Sequence, residues 1–353
     1  MGKTEKCTVD EALVLLRNSR KLRAAEWRLL LTSFCAEGRY LLAAEARKVS
    51  TARFGNGVYV RALIEISSYC RNNCLYCGLR CGNTLASRYR LSKDEILACC
   101  DSAAGLGFNT FVLQGGEDPV QGDKWLADVV MSIKQRYPRK AVTLSVGERT
   151  AQGYALLRAA GADRYLLRHE TANDGHYSFL HPANMSAVNR RHCLKVLGAL
   201  GYQVGSGMMI GSPGQTMDYL VEDLMLLDEI RPQMIGIGPF IPAAGTPFAA
   251  EPHGGTEMTL LLISLLRLRF PCALIPATTA LATLLPDGTE QGVLAGANVV
   301  MPNVTPLEAR EKYTIYNNKK TTGSESAEQL TALDERLARI GYCIDFSRGD
   351  CKK

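Results

Sequence analysis

The sequence predicts an α/β protein, a complete (β/α)8 TIM barrel with an N-terminal helical cap and a short C-terminal helical tail. Eight short apolar runs alternate with amphipathic stretches from residue 58 onward, as strands and helices do in a barrel. The chain has 353 residues, of which 46% are hydrophobic, enough for one large core or two modest ones. A doubly wound open sheet produces a similar pattern and remains the alternative.

The region before the first strand is predicted to be helical. Thr8 and Glu11 have the spacing of a capping box, which marks a helix start. Two further amphipathic pieces cover about 24–35 and 41–50. The predicted units are an N-terminal cap (1–57), a barrel (58–310) and a C-terminal extension packed on the barrel (311–353).

Within the barrel, element positions follow from the apolar period and from turn residues. Strands are predicted at 58–66, 109–113, 141–145, 164–168, 202–210, 233–237, 273–276 and 298–301. Helices are predicted at 92–106, 122–137, 151–160, 186–200, 215–230, 256–269 and 286–296, with a surface helix in the tail at 327–340. Ser92 and Thr216 are suitable helix starts, and Gly161 and Gly201 are suitable helix ends.

Three cysteines lie within eight residues, just past the first predicted strand: Cys70, Cys74 and Cys77. An iron–sulfur cubane is held by thiolates and usually takes four of them. Three close thiolates without an obvious fourth would leave one iron open to a non-protein ligand. A zinc site or a redox-active dithiol is the alternative. Cys81 lies nearby, but the sequence contains no second C-x-x-C pair.

The composition indicates which kinds of binding partner and which cellular compartment to expect. The net charge of +6 is mild, and no basic run is interleaved with aromatics, so nucleic acid is not predicted as a partner. No apolar run reaches the length of a membrane span. Twelve cysteines in a long, core-rich chain do not require disulfides. Together with the cysteine motif, they predict a protein of the reducing cytoplasm.

The ends of the second and third strands carry groups suited to ligand binding. Gln114 is followed by Gly115 and Gly116, where a ligand could approach the backbone closely, although an ordinary tight turn explains the glycines too. Thr143 and Ser145 share one face of the third strand. They form either part of a site or a polar pair satisfied within the core.

Charged and hydroxyl side chains follow later strands. Arg168, His169 and Glu170 succeed one another at the end of the fourth strand, where they could fix a zwitterion or form a salt-bridged rim. Thr278 and Thr279 follow the seventh strand. Their two hydroxyls could bind a small anion, or the pair could form a simple turn. On the helix after the fourth strand, one of Arg190 and Arg191 is predicted to point into the barrel mouth and the other to solvent.

The C-x-x-x-C-x-x-C spacing, with Tyr76 before the last cysteine, resembles the motif of the radical S-adenosylmethionine (radical SAM) superfamily. Residues 58–310 resemble its biotin-synthase-like group, which also contains methylornithine synthase. Several strings are similar to the HydE family of [FeFe]-hydrogenase maturases, namely residues 74–80, 112–114, 163–171, 236–242 and 297–303.

The resemblance implies a complete barrel and a role for each matching residue. One [4Fe-4S] cluster would be held by Cys70, Cys74 and Cys77. S-adenosylmethionine would be contacted by Tyr76, Gln114, Gly115, Gly116, Glu170 and Arg190. The substrate site would be lined by Thr143, Ser145, Arg168, Met234, Thr278, Thr279, Met301 and Tyr313. A single cluster is expected, because residues 273–342 contain no cysteine and Cys343 and Cys351 are only two.

The resemblance also implies an activity: reductive cleavage of SAM to a 5′-deoxyadenosyl radical, used in assembly of the diiron part of the hydrogenase active site. The expected substrate is a small, sulfur-containing, cysteine-ligated iron carbonyl/cyanide precursor. Expected partners are an electron donor such as flavodoxin or ferredoxin and other hydrogenase maturation proteins. Another enzyme of the group, such as a methylornithine-synthase-type mutase, and a non-enzymatic iron–sulfur carrier are the alternatives. Formation of 5′-deoxyadenosine separates an enzyme from a carrier.

Overall fold

The computed structural model describes residues 8–17, 21–319 and 327–351. The remaining residues of the predicted cap and tail lie outside the described part: 1–7, 18–20, 320–326 and 352–353. Three helices precede the first strand: α1 (Val9–Arg17), α2 (Ala24–Thr32) and α3 (Ala36–Phe54). The strands are β1 (Gly57–Val60), β2 (Ala62–Ser67), β3 (Thr110–Gly115), β4 (Ala141–Ser145), β5 (Arg164–Leu166), β6 (Gln203–Ser206), β7 (Met209–Ile210), β8 (Met234–Ile235), β9 (Gly238–Pro239), β10 (Val299–Val300) and β11 (Cys343–Asp345).

Helices occupy most of the connections between these strands. They are α4 (Lys93–Gly105), α5 (Asp123–Arg136), α6 (Ala151–Ala159), α7 (Asp174–Leu180), α8 (Ala187–Ala199), α9 (Met217–Ile230), α10 (Thr256–Arg269), α11 (Thr279–Leu284), α12 (Gly288–Leu294), α13 (Leu307–Arg310) and α14 (Leu330–Arg339). None of the helices in the described ranges is both long enough and apolar enough to cross a bilayer.

Six parallel strands form the main sheet in the order β2, β3, β4, β5, β6 and β8. A second parallel sheet has the order β10, β1 and β11, and β7 pairs with β9. Isolated parallel bridges connect Met234 with Leu274, Pro276 with Val299, and Leu63 with Asn303. These bridges lead from β8, the last strand of the main sheet, back to β2, the first. The fold is thus an α/β arrangement of parallel strands whose connections are mostly helices.

The two faces of the main sheet differ in character. Phe111 and Leu113 of β3 belong to the main hydrophobic core, which also takes in Leu126 and Val130 of α5. Side chains alternate along a strand, so Gln114 faces the opposite way, toward the inside of the curved sheet. Both faces are covered, which explains why the strands are apolar runs without a solvent-facing alternation.

Helix capping confirms the predicted starts and ends. The Ser92 hydroxyl accepts from the Glu95 amide at 3.2 Å, and the Glu95 carboxylate accepts from the Ser92 amide at 2.7 Å. Thr216 caps α9 through the Tyr219 amide. Gly161 has a φ of 110°, in the region that favours glycine, directly after α6.

Several predicted elements differ from the observed ones. The strand predicted at 58–66 is divided at Arg61, whose buried guanidinium contacts the Met234 sulfur and the Gly349 carbonyl. The strand predicted at 273–276 is reduced to isolated bridges, and Pro276 lacks an amide N–H for a ladder. Helices α7, α11 and α13 were not predicted, and the strand predicted at 202–210 is divided into β6 and β7.

The N-terminal helices pack on the outside of the barrel helices. Trp27 of α2 is fully buried, and its indole N–H donates to the Asp228 carboxylate of α9 at 3.3 Å. The other Asp228 oxygen accepts from Arg269 of α10 at 2.6 Å. A buried charge is tolerated where it is paired and hydrogen-bonded, so this trio fixes α2 against two barrel helices.

The C-terminal segment packs against the opposite end of the sheet from the cysteine motif. Strand β11 pairs with β1 in parallel. Arg164 of β5, whose side chain is fully buried, donates to the Asp350 carboxylate at 2.7 Å. In the tail helix predicted to lie on the surface, Leu333 and Leu337 are buried in the main core, so α14 is an amphipathic helix packed on the barrel.

Candidate active site

The three cysteines of the motif lie in the loop that leaves β2, at the end where parallel strands collect functional side chains. Cys70, Cys74 and Cys77 are free thiols, each partly buried. Burial raises the pKa of all three thiols, to about 12 at Cys77, and charge on neighbouring thiols contributes at Cys74 and Cys77. The three thiols therefore share one partly buried loop in which the charged thiolate form is disfavoured.

The donor set fits an iron–sulfur cubane. Among the described residues, no three His, Cys, Asp or Glu side chains are placed to hold one metal ion. A cubane does not need that arrangement, because each of its thiolates binds a different iron. Metal binding also requires deprotonated thiols, so iron would reverse the raised pKa values of the three cysteines.

Gly116, directly after β3, has a packing role that the sequence did not reveal. A Cβ atom on Gly116 would overlap the carbonyl oxygen of Tyr69 and the side chain of Cys70. Next to it, the Glu117 carbonyl accepts from the Arg71 amide at 2.9 Å, and its carboxylate accepts from Arg71 Nε at 3.0 Å. Gly116 thus lets the β3 loop lie directly against the cysteine loop.

The predicted charged cluster after β5 forms as an intramolecular pair. Arg168 binds Glu170 through two parallel hydrogen bonds, of 3.0 Å from Nε and 2.9 Å from Nη2. Glu170 is buried and has a φ of 64°, a left-handed conformation that is costly for a residue other than glycine. The two hydrogen bonds from Arg168 hold the carboxylate in one orientation at the strand end.

Arg190 and Arg191 of α8 differ in exposure, as expected. Arg191 is partly exposed and pairs with Asp174 at 2.9 Å. Arg190 is buried and donates to the Glu148 carboxylate at 2.5 Å and to the Arg168 carbonyl at 2.6 Å. Arg190 is therefore the arginine of the pair that lies at the barrel mouth, beside the Arg168–Glu170 pair.

Tyr76 lies in a small aromatic group that includes two residues not singled out from the sequence. Its hydroxyl lies 3.2 Å from His181 Nε2, and His181 stacks on Tyr177 with ring centroids 3.9 Å apart. His181 Nδ1 lies 2.9 Å from the Tyr177 carbonyl, which can only accept, so Nδ1 carries the proton and Nε2 accepts from Tyr76. Burial, followed by the charge of Arg190, lowers the pKa of His181 to about 4.

Two hydroxyls inside the barrel have no hydrogen-bond partner among the described residues. The Oγ1 atoms of Thr143 on β4 and of Thr278 before α11 are both buried without one. A buried polar atom without a partner costs free energy, so it indicates a position where a bound molecule supplies the missing bond. Thr279 is the first residue of α11, and Ser145 is half-buried at the end of β4.

The remaining predicted substrate residues fall into two groups. Gln114 Nε2 lies 3.4 Å from the Tyr313 hydroxyl, which brings the β3 end together with the C-terminal extension. Met234 and Met301 pack in a second apolar cluster with Tyr59. That cluster lies toward the end of the sheet closed by the C-terminal segment.

The contacts of His169 indicate a structural role. Its Nδ1 lies 2.9 Å from the Ser206 hydroxyl, and its Nε2 lies 3.5 Å from Asp223. The His169 ring and the Asp223 carboxylate are both fully buried. His169 therefore joins β6 and α9 to the end of β5 and does not line the site.

Sequence reasoning missed Glu148 and His181 as site residues. Glu148 follows β4, so inspection of every strand end for charge would have found it. His181 follows α7, a helix without a strong sequence signal, and nothing in the local pattern pointed to it.

Comparison with known proteins agrees with this geometry. Residues 64–227 match the family model described as the radical SAM superfamily. The chain is 46% identical over 283 residues to the [FeFe] hydrogenase maturase subunit HydE of Thermotoga maritima, covering 80% of each protein. It is 31% identical over 320 residues to 3-methylornithine synthase of Methanosarcina barkeri, covering 89% of this chain and 88% of that protein.

Solved structures show the same fold. The crystal structure of methylornithine synthase (PylB) superposes with a TM-score of 0.80 at 26% identity, covering 95% of this chain and 97% of that one. The maturase HydG has a TM-score of 0.81 at 20% identity, covering 98% of this chain and 78% of that one, a likeness of fold alone. From the motif, the fold and these relatives together, the chain belongs to the radical SAM superfamily, in its biotin-synthase-like group, whose members are enzymes that use a [4Fe-4S] cluster and S-adenosylmethionine.

Proposed function

We propose that this enzyme is a HydE-type maturase that takes part in building the diiron subsite of the [FeFe]-hydrogenase active site. The observation that carries the proposal is the identity of 46% to HydE, against 31% to 3-methylornithine synthase. The proposed substrate is a small, sulfur-containing, cysteine-ligated iron carbonyl/cyanide species. The cluster and SAM, when bound, supply reductive cleavage of SAM to a 5′-deoxyadenosyl radical.

In this proposal the chain itself binds and orients the reactants. Cys70, Cys74 and Cys77 hold the cluster and leave one iron open. Arg190 would bind the SAM carboxylate, and Glu170 would accept a hydrogen bond from its ammonium or ribose. The backbone at the end of β3 and the ring of Tyr76 complete the SAM contacts, with contributions from Gln114, Gly115 and Gly116.

The unpartnered hydroxyls support the proposed substrate position. Thr143 and Thr278 would donate to anionic or cyanide-like groups of the substrate inside the barrel. Met234 and Met301 would provide the apolar floor below them. Further lining residues in the proposal are Ser145, Arg168, Thr279 and Tyr313. Exclusion of water from such a chamber limits side reactions of a radical.

We also propose that the sheet closes into a complete (β/α)8 barrel. Support comes from the bridges at Leu274, Pro276 and Asn303 and from backbone hydrogen bonds on both sides of them. The Leu274 amide donates to Gln233, and the Leu63 amide donates to Pro302, each at 2.9 Å. The proposed units remain a helical cap, a barrel and a C-terminal extension.

Proposed partners are an electron donor of the flavodoxin or ferredoxin class and other hydrogenase maturation proteins. A methylornithine-synthase-type mutase is the second candidate, because the match to 3-methylornithine synthase of Methanosarcina barkeri covers 89% of this chain, against 80% for HydE. The two candidates differ in the molecule that should stimulate SAM cleavage.

The test is an anaerobic assay with reconstituted protein, dithionite and SAM. A synthetic cysteine-ligated iron carbonyl/cyanide complex is added in one series and a mixture of amino acids in the other. If the protein is a maturase, we expect the iron complex to increase 5′-deoxyadenosine formation and to be converted itself. Amino-acid-dependent formation of 3-methylornithine would instead establish the mutase.

A further inference from the structure

We propose that Arg88 is a positioning residue that holds the two ends of the cysteine loop together and thereby presets the cluster site. The inference rests on the proposed role of the cysteines as cluster ligands. Arg88 lies eleven positions beyond the motif in a segment without helix, and neither the motif nor the family comparison points to it.

The guanidinium of Arg88 donates to four backbone carbonyls. Nη1 lies 2.5 Å from the Ser68 oxygen and 2.9 Å from the Leu79 oxygen. Nη2 lies 2.7 Å from the Arg80 oxygen and 3.3 Å from the Asn83 oxygen. Ser68 precedes the first cysteine of the motif, and the other three acceptors follow the last, so one side chain joins the entry and the exit of the loop.

The loop needs such a donor because it has little regular structure of its own. Backbone carbonyls withdrawn from water must find partners, and neither a helix nor a ladder serves most of this segment. Arginine suits the task because its planar fork presents five N–H groups in fixed directions. A lysine ammonium is a single point donor and cannot span the same set of acceptors.

The segment that carries Arg88 is itself anchored by the two residues that follow it. The Tyr89 amide donates to the Ser68 hydroxyl at 2.8 Å, and the Tyr89 hydroxyl donates to the Glu65 carbonyl at 2.7 Å. Arg90 forms a two-point pair with Asp118, at 2.6 and 3.0 Å. Arg88 is therefore presented by a fixed scaffold, so its bonds restrain the cysteine loop relative to β2 and β3.

A restrained loop has two consequences for the cluster. The three thiols are spaced before iron arrives, which lowers the ordering cost of binding. The permanent charge of Arg88 also lies within the loop that holds an anionic cluster, and nearby charge and hydrogen bonding set cluster potentials. Groups that orient metal ligands in this way typically affect metal affinity by about 10- to 100-fold when they are removed.

The experiment compares Arg88→Lys and Arg88→Gln with the wild-type protein and with Arg136→Gln. Arg136 is a control, because its side chain pairs with Asp101 on the surface of α4 and α5. After anaerobic reconstitution, iron loss to a chelator and the electron paramagnetic resonance spectrum of the reduced cluster are measured with and without SAM. Both Arg88 variants should lose iron about tenfold faster or more and give altered g-values, while the control matches the wild type.

A second measurement does not depend on whether the variants fold. Hydrogen exchange of the wild-type apo protein should show protected amides at Arg80, Cys81 and Asn83, whose N–H groups are bonded within the loop. Free exchange of these amides, or Arg88 variants with wild-type spectra and chelation rates, would overturn the proposal. Failure of the cysteine assignment itself is distinguishable, since a Cys74→Ser protein would then retain its iron.

Discussion

The guanidinium of Arg190 and the carboxylate of Glu148 form an ion pair of 2.5 Å at the barrel mouth, with both side chains largely buried. Glu148 also accepts from Asn189 at 2.6 Å, and its own amide donates to the Glu117 carboxylate at 2.7 Å. Since Glu117 binds Arg71 beside the first cysteine, a continuous set of polar contacts joins the cysteine loop to the arginine proposed to bind SAM.

Replacing Glu148 should therefore affect SAM binding through Arg190. We expect Glu148→Ala to weaken SAM binding roughly tenfold, because Arg190 loses the charge-assisted bond that fixes its position. Glu148→Gln keeps a hydrogen-bond acceptor and should restore most of the affinity. Calorimetric titration of SAM into each reconstituted variant checks this. Tighter binding in the alanine variant would mean that Glu148 competes for Arg190.

Removing the carboxylate of Glu170 should weaken SAM binding and leave the cluster intact. One charge-assisted hydrogen bond contributes about 1.5–3 kcal/mol, which corresponds to roughly a 10- to 100-fold loss of affinity for Glu170→Ala. Iron content and visible absorbance should match the wild type. The control is Glu229→Ala, a surface carboxylate 4.0 Å from Lys195. Equal SAM affinity in both variants would refute the placement of SAM at Glu170.

Iron content should depend on three cysteines and on no others. Wild-type protein should hold about four irons per chain after anaerobic reconstitution, as one cubane does. Cys70→Ser, Cys74→Ser and Cys77→Ser should each abolish the cluster and SAM cleavage. Cys81→Ser is the control in the exposed part of the same loop, and Cys99 and Cys100 are buried packing residues of α4.

A cluster that remains in the Cys74→Ser protein would contradict the ligand assignment. A second, magnetically distinct cluster that survives loss of all three cysteines would contradict the expectation of a single one. Electron paramagnetic resonance of the reduced variants distinguishes these outcomes.

The threonines after the seventh strand should act on the substrate and not on SAM. Thr278→Val with Thr279→Val keeps the shape of the site and removes two hydroxyls. We expect unchanged cluster content and SAM affinity, with substrate-dependent product formation reduced about tenfold or more. Thr283→Val is the matched control, because its hydroxyl donates to the Thr279 carbonyl within α11. Loss of SAM binding in the double variant would place the cofactor where we place the substrate.

His181 should make the apo protein sensitive to acid. Its pKa is about 4 in the folded chain against an ordinary value of 6.5, so the unfolded chain binds the proton more readily. The contribution of neutral His181 to the free energy of unfolding is fully present above pH 6.5. It is lost as the pH drops toward 4, by an amount on the order of 3 kcal/mol. Denaturant unfolding of wild type and His181→Gln across this range measures the effect. His192→Gln, an exposed histidine on α8, should keep the wild-type slope.

The sequence predicted the alternation of strands and helices and most element positions, because apolar period and capping residues are local properties. Strand β4 occurs at 141–145 as predicted, and α10 occurs at 256–269. The break at Arg61 was not predictable, because it depends on contacts with Met234 and Gly349, far along the chain.

The same distinction applies to the site. Cysteine spacing is local, so Cys70, Cys74 and Cys77 could be found from the sequence alone. The partner of Arg190 could not, since Glu148 lies 42 positions away in the chain and its carboxylate reaches α8 only in the folded protein. His181 was missed for the same reason, because its importance comes from contact with Tyr76 across 105 positions.

The pairing of β11 with β1 has a consequence for how the chain is made. The Cys343 amide donates to the carbonyl of Asn56, 287 positions earlier. At ribosomal rates of about 5–20 residues per second, β1 waits roughly 15–60 seconds for this neighbour. During that time one edge of an apolar strand is unpaired, and such an edge promotes aggregation. Slow translation late in the coding sequence should therefore reduce the yield of soluble protein more than the same delay near its start.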